Sequence, residues 1–314
     1  MSSFFTRRVR PLLAVLALAA GAVPQAASAL EVVATVKPIH ALVAAVMGET
    51  GTPSLLIAGK ASPHTWQLRP SDARRLEAAD LVVWVGPSLE TPLARPIATL
   101  VRPSALLTLV ATPGVRTLPA RSGGVWEDDG HDHRHGAAAA EAIDGHLWLD
   151  PLNAAGVARA VAAALAARDP AGADGYRARA DAVTERLMAL DAELRARLTP
   201  AAAYPYLSFH DAYQYLEARY GLNAVGAIAV SPERKPGARR LQALRQRVRS
   251  AGVACVFAEP QFDPGLVTTV TEGTRARAGI LDPLGVSIPE GPELYPTLMR
   301  GLAQALTDCL LGAR

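Results

Sequence analysis

The sequence predicts an α/β protein with two Rossmann-like (βα)4 lobes on mainly parallel sheets, joined by a long rigid helix. Three observations carry this. Short apolar runs alternate with helical spacing before residue 110 and again after residue 200, the pattern of a parallel sheet flanked by helices. Between them lies a stretch of unbroken helical periodicity. The 285 residues from Leu30 onward are about twice a typical domain length and half of the chain is apolar, enough for two cores.

Residues 1–29 read as an export signal and are excluded from the fold. Arg7, Arg8 and Arg10 form a basic start, Leu12 to Ala20 an apolar core too short to span a bilayer, and Ala27, Ser28 and Ala29 a small-residue cleavage site. The Arg7–Arg8 pair resembles part of a twin-arginine signal but lacks the usual aromatic after it, which favours the general secretory route. The signal holds three of the 32 basic residues and none of the 29 acidic ones, so the remainder has a formal charge of zero. The chain pI of about 9.0 is therefore no argument for nucleic-acid or membrane binding. With no cysteine at the cleavage site and no other run of membrane-spanning length, the expectation is a free periplasmic monomer, not inserted in the membrane.

In the first lobe, residues 30–152, strands are expected at Glu31 to Val36, Pro53 to Ala58, Leu81 to Gly86 and Ala105 to Val110. A helix follows from Pro38, and another runs to Ala79 with Ser71 or Asp72 as its cap. From 111 to 145 periodicity gives way to glycine, proline and charge, the mark of a long loop. Residues 153–199 form the helical connector. An alanine-rich helix ends at Asp169–Pro170, and Tyr176, Ala180, Val183, Leu187, Leu190, Leu194 and Leu198 then recur at steps of three and four. In the second lobe, residues 200–314, strands are expected at Tyr204 to Phe209, Leu222 to Val230, Val253 to Glu259 and Gly279 to Asp282. Helices are expected over Ala212 to Tyr220, up to about Ser250, over Leu266 to Arg277 and from about Glu293 to Leu311.

His64, His210, Glu259 and Asp282 each fall just after an expected strand, His64 in the loop KASPHTWQLRPSD, where open parallel sheets bind their ligands. One histidine there is commonly a cap. Three standing singly, His64 in the first lobe, His146 in the segment DGHLWLDP and His210 in the second lobe, point instead to a divalent ion held between lobes. Zinc accepts imidazole nitrogen at about 2.0–2.1 Å in a tetrahedron. Asp282 is the expected fourth ligand, because its carboxylate offsets half the ion's charge, and Glu259 is the expected partner of an imidazole's second nitrogen. Three imidazoles favour Zn2+ over manganese, which prefers oxygen. The two cysteines, Cys255 and Cys309, find their simplest use in an oxidising compartment as one disulfide.

The blocks SPHTWQLRPSD, LVVWVGP, HLWLDP, FHDAYQYLEARYGL, VFAEPQF and LDPLG occur in an order that resembles the ZnuA-like zinc-uptake solute-binding proteins, receptors of ABC importers. The resemblance spans nearly all of the chain after the signal. It implies metal in the cleft between two lobes, with His64, His146 and His210 as ligands and Asp282 completing the site. It also implies a Cys255–Cys309 disulfide. The implied partners are a membrane permease and a cytoplasmic ATPase. Manganese-binding relatives carry glutamate where this chain has His210. Some zinc-type members carry an acid before the first histidine, where Pro63 stands here, and a longer histidine-rich insert, here reduced to WEDDGHDHRHG.

In that tract His131, His133 and His135 alternate with carboxylates. It reads either as a weak auxiliary metal loop or as a solvated loop. His40 reads as a capping or packing residue. Ser208, His210 and Asp211 have the residue types of a hydrolytic triad, but neighbours along a strand point in different directions. The rival functions are a manganese or iron receptor on the same fold and a zinc hydrolase with an open fourth position.

Overall fold

The computed structural model describes residues 29–121, 142–229 and 236–312. The export signal but for Ala29, and the His131, His133 and His135 tract, lie outside them.

The first sheet contains β1 (Val32–Ala34), β2 (Ser54–Leu55), β3 (Leu81–Trp84) and β4 (Leu106–Thr108), in the order β2-β1-β3-β4. The second contains β5 (Tyr206–His210), β6 (Ala224–Ala229), β7 (Cys255–Ala258) and β8 (Arg277–Ile280), in the order β6-β5-β7-β8. Every pairing within the two sheets is parallel. The two sheets therefore share one topology although their sequences show no clear repeat. Strands β1, β3, β5 and β7 are buried along their whole length, as expected of parallel strands covered on both faces.

The first lobe carries α1 (Lys37–Met47), α2 (Pro70–Ala78) and α3 (Ala94–Leu100). The second carries α6 (Gln214–Tyr220), α7 (Ala238–Ser250), α8 (Gly265–Thr271) and α9 (Leu294–Leu311). Between them run α4 (Pro151–Arg168) and α5 (Ala173–Leu198). Asp150 opens α4 by accepting the Leu152 N–H at 2.8 Å, two residues earlier than the alanine-rich run indicates. Of the seven periodic residues read along α5, all but half-buried Val183 are buried. This helix packs on α4, α1 and α9, so the connector touches both lobes.

Three local expectations shift. Asp72 is not the cap of α2 but its third residue, reaching back to the Arg69 N–H at 3.3 Å. The helix expected to reach Arg277 ends at Thr271, because Gly273 takes a left-handed φ of 67° and turns the chain into β8. The seven-residue α3 was not legible, being short and interrupted by Pro96.

The main hydrophobic core runs from the first sheet through α4 and α5 to α9, while Leu207, Phe209, Val256, Leu244 and Val267 form a second core under α7 and α8. The Cys255–Cys309 disulfide ties β7 to α9, with Cα atoms 6.1 Å apart. His40 is buried, its Nε2 2.9 Å from the Pro53 carbonyl, which makes it a packing residue. No described helix is long and apolar enough to cross a membrane.

Candidate metal centre

Each of the three histidines is delivered by a different part of the chain. His64 lies in the turn after β2, where the Ser62 Oγ accepts its N–H at 3.4 Å. His146 precedes a single 3-10 turn at Leu147–Leu149 that leads into α4. His210 is the last residue of β5. Strand alternation sends Leu207 and Phe209 into the second core, so Ser208 and His210 project from the opposite face.

The approach to His146 depends on Gly145. A Cβ there would lie 2.6 Å from the Leu89 Cβ and 3.1 Å from that residue's backbone, so only glycine lets the segment pass this close to the first lobe.

The rings meet. The Nε2 of His146 lies 3.3 Å from the Nε2 of His64 and 3.4 Å from that of His210. One nitrogen from each ring lies within 4.8 Å of the others, the one group among the described residues with the geometry to hold a metal ion. A tetrahedron with zinc–nitrogen bonds of about 2.0–2.1 Å has edges of about 3.3–3.4 Å, and the two measured edges match it.

The tautomers also match. His146 Nδ1 donates to Asp144 Oδ1 at 2.8 Å, and His210 Nδ1 donates to Glu259 Oε1 at 2.7 Å. With Nδ1 protonated, the Nε2 lone pairs of both rings face the shared point, the arrangement of carboxylate-supported metal ligands. The expectation that Glu259 supports an imidazole thus has its geometry. Asp144, which does the same for His146, escaped the sequence reading, although the spacing Asp-Gly-His carried the signal. Asp144 is anchored in turn: Tyr215 Oη donates to its carbonyl at 2.8 Å.

Electrostatics divide the three rings. Burial and the neighbouring His146 and His210 rings hold His64 well below the usual imidazole range. For His210, burial opposes the charge, but the Glu259 carboxylate outweighs it, helped by Asp211 and Asp144, and the net shift is upward.

Asp282, the expected fourth ligand, lies outside the three-histidine group. It caps its own loop instead. Its Oδ1 accepts the N–H groups of Leu284 and Gly285 and the Gln261 amide, and its Oδ2 accepts the Val286 N–H at 2.6 Å. Asp211 is held by Arg121, and Ser208 Oγ has no hydrogen-bond partner, so the three do not form a catalytic relay. The space at the histidines is about 10 Å3, lined by Pro63, Trp148, Phe262, Pro283 and Leu284 beside the rings, which is room for an ion or one water.

The profile of the family described as "Zinc-uptake complex component A periplasmic" (ZnuA) matches residues 32–309. The high-affinity zinc uptake system protein ZnuA of Brucella abortus (strain 2308) is 44% identical over 306 residues, covering 89% of this chain and 91% of the relative. A crystal structure of ZnuA superposes with a TM-score of 0.76 at 22% identity, covering 90% of this chain and all of the other. The SBP FpvC from Pseudomonas aeruginosa in complex with Mn2+ gives 0.77 at 22% identity, covering 90% and 99%. At those identities the two structures speak for the fold alone. The length of the sequence match and the 44% identity show that the chain belongs to the ZnuA family of periplasmic zinc-uptake components.

Proposed function

We propose that this protein is a zinc receptor that reaches the periplasm by its cleaved signal, captures Zn2+ at His64, His146 and His210, and hands it to the permease and ATPase of an ABC importer. The observation that carries the reading is the three imidazoles 3.3 and 3.4 Å apart, two of them supported by buried carboxylates. That spacing suits a tetrahedral ion, and the small, largely apolar surround disfavours an ion that keeps several waters. The volume suits an ion rather than an organic substrate, which argues for carriage over hydrolysis. Asp282 completes the site when its carboxylate turns toward the rings within a loop that stays in place. Its Oδ2, which accepts a single N–H, is the oxygen with coordination capacity to spare.

The test is a competitive titration of the metal-stripped protein with zinc and manganese, with native mass spectrometry counting bound ions. One tightly held zinc, lost in His210→Ala, is expected. A preference for manganese, or tight zinc surviving the substitution, overturns the reading.

A further inference from the structure

The loop that follows Asp282 is held from the first lobe by side chains that no zinc ligand explains. Lys37, at the start of α1, is only 6% exposed. Its Nζ donates to the carbonyls of Gly285 at 2.8 Å, Val286 at 3.1 Å and Ile288 at 2.8 Å, about 250 residues away. Three N–H bonds of one ammonium thus meet three acceptors. Trp148, two residues beyond His146, adds its Nε1–H to the Pro283 carbonyl at 2.9 Å. Asp282 gathers amides of the same loop. The second lobe's loop is therefore tied internally by one carboxylate and across the cleft by one ammonium and one indole.

The choice of lysine is informative. The chain has three lysines against 29 arginines, so a cation here is arginine almost by default. A compact ammonium with three divergent donors fits a three-carbonyl pocket that a planar guanidinium does not. Moreover, Pro283 and Leu284 of the tied loop line the space at the histidines, so motion of the loop opens that space directly.

We infer that Lys37 is the latch of the metal cleft: by holding the 285–288 carbonyls it keeps the Asp282 loop closed over the three histidines and sets how slowly captured zinc leaves. Lys37 is thus a positioning residue that does not touch the ion. The inference rests on the zinc reading above.

Two measurements test it. In the first, the wild-type protein is reductively methylated with and without zinc, and peptide mass spectrometry compares Lys37 with Lys60. A latch opens when the ion leaves, so Lys37 labelling relative to Lys60 is expected to rise by about tenfold in the metal-free protein, the change expected when a buried charge-assisted contact is released. Equal protection in both states makes Lys37 a static tie and overturns the inference. In the second, zinc release into excess chelator is timed for Lys37→Met. An off-rate raised about tenfold or more at unchanged stoichiometry supports the latch, and one within about twofold of wild type overturns it. A merely structural lysine would lower the unfolding temperature without changing the off-rate. Should Lys37→Met not fold, the labelling result decides. A wild-type protein that takes up no zinc would instead refute the three-histidine reading, independently of the latch.

Discussion

Replacing Glu259 by glutamine tests how much of the zinc affinity is generated outside the ligand shell. Glu259 is 3% exposed, and its Oε1 accepts both the ring Nδ1–H of His210 at 2.7 Å and that residue's main-chain N–H at 3.3 Å. Glutamine keeps the size and one acceptor oxygen but removes the charge. A hydrogen bond to a charged acceptor contributes about 1.5–3 kcal/mol and a neutral one about 0.5–1.5. The imidazole is most acidic when it carries metal, so the difference of about 1–1.5 kcal/mol falls mainly on the loaded state. This corresponds to about a five- to fifteenfold weaker Kd, within reach of the 10–100-fold typical of outer-shell losses.

The pH dependence gives this substitution a signature. Glu259 is the main group raising the His210 pKa against burial, so in the wild-type protein a proton competes with zinc once pH falls through that raised value, which lies above 6.5. Without Glu259 the pKa drops and competition begins at lower pH. The wild type therefore loses its advantage on acidification. The ratio of affinities, read by chelator competition, should be largest near about pH 8 and shrink toward about pH 6. A ratio below about twofold at the higher pH, or one that does not change with pH, would refute the reasoning.

Three further outcomes are expected. Asp282→Ala should weaken zinc binding by at least about a hundredfold, beyond an outer-shell loss, in the same titration; a smaller effect gives the fourth position to water. Gly145→Ala should destabilise by about 1–3 kcal/mol through overpacking against Leu89 and lower zinc affinity with it, as calorimetric titration beside denaturant unfolding would reveal; an unperturbed variant would mean that the segment has slack. Replacing Cys255 and Cys309 together by alanine opens a loop with a sequence separation of 54 residues, so denaturant unfolding should show a loss of about 4 kcal/mol while the zinc stoichiometry stays at one ion.

Much of the fold was legible because parallel strands announce themselves. VVA, LVVW and CVFA are apolar throughout and are buried at every position. His210 was legible for a related reason: a polar residue at the end of such a run stands at the rim of the sheet, where the cleft lies. Asp144 and Lys37 were not. For Asp144 the one local signal was its place two residues before His146, and its role becomes plain only when Tyr215 and His146 close on it. The partners of Lys37 are main-chain carbonyls about 250 residues away, which leave no trace in local composition. Asp282 shows the converse, since a carboxylate two residues past a strand reads equally as ligand or as loop cap, and only the amide geometry separates them.

The supporting carboxylates also imply how capture and closure are coupled. Asp144 belongs to the segment entering α4, whereas Glu259 follows β7 in the second lobe, so the two best-supported rings are oriented separately, one from each side of the cleft. Each carboxylate holds its ring with the Nε2 lone pair outward, and at 3.4 Å two such lone pairs repel. A cation between them reverses the sign of that interaction, and the low polarity of Trp148, Phe262 and Leu284 around it strengthens the reversal. The ion is thus the element that makes the closed arrangement favourable, and the Lys37 ammonium on the loop carbonyls makes closure persist. Both residues then contribute to affinity, Glu259 through the charge behind His210 and Lys37 through slower release, and because they lie in different elements the losses from substituting each should add with little coupling.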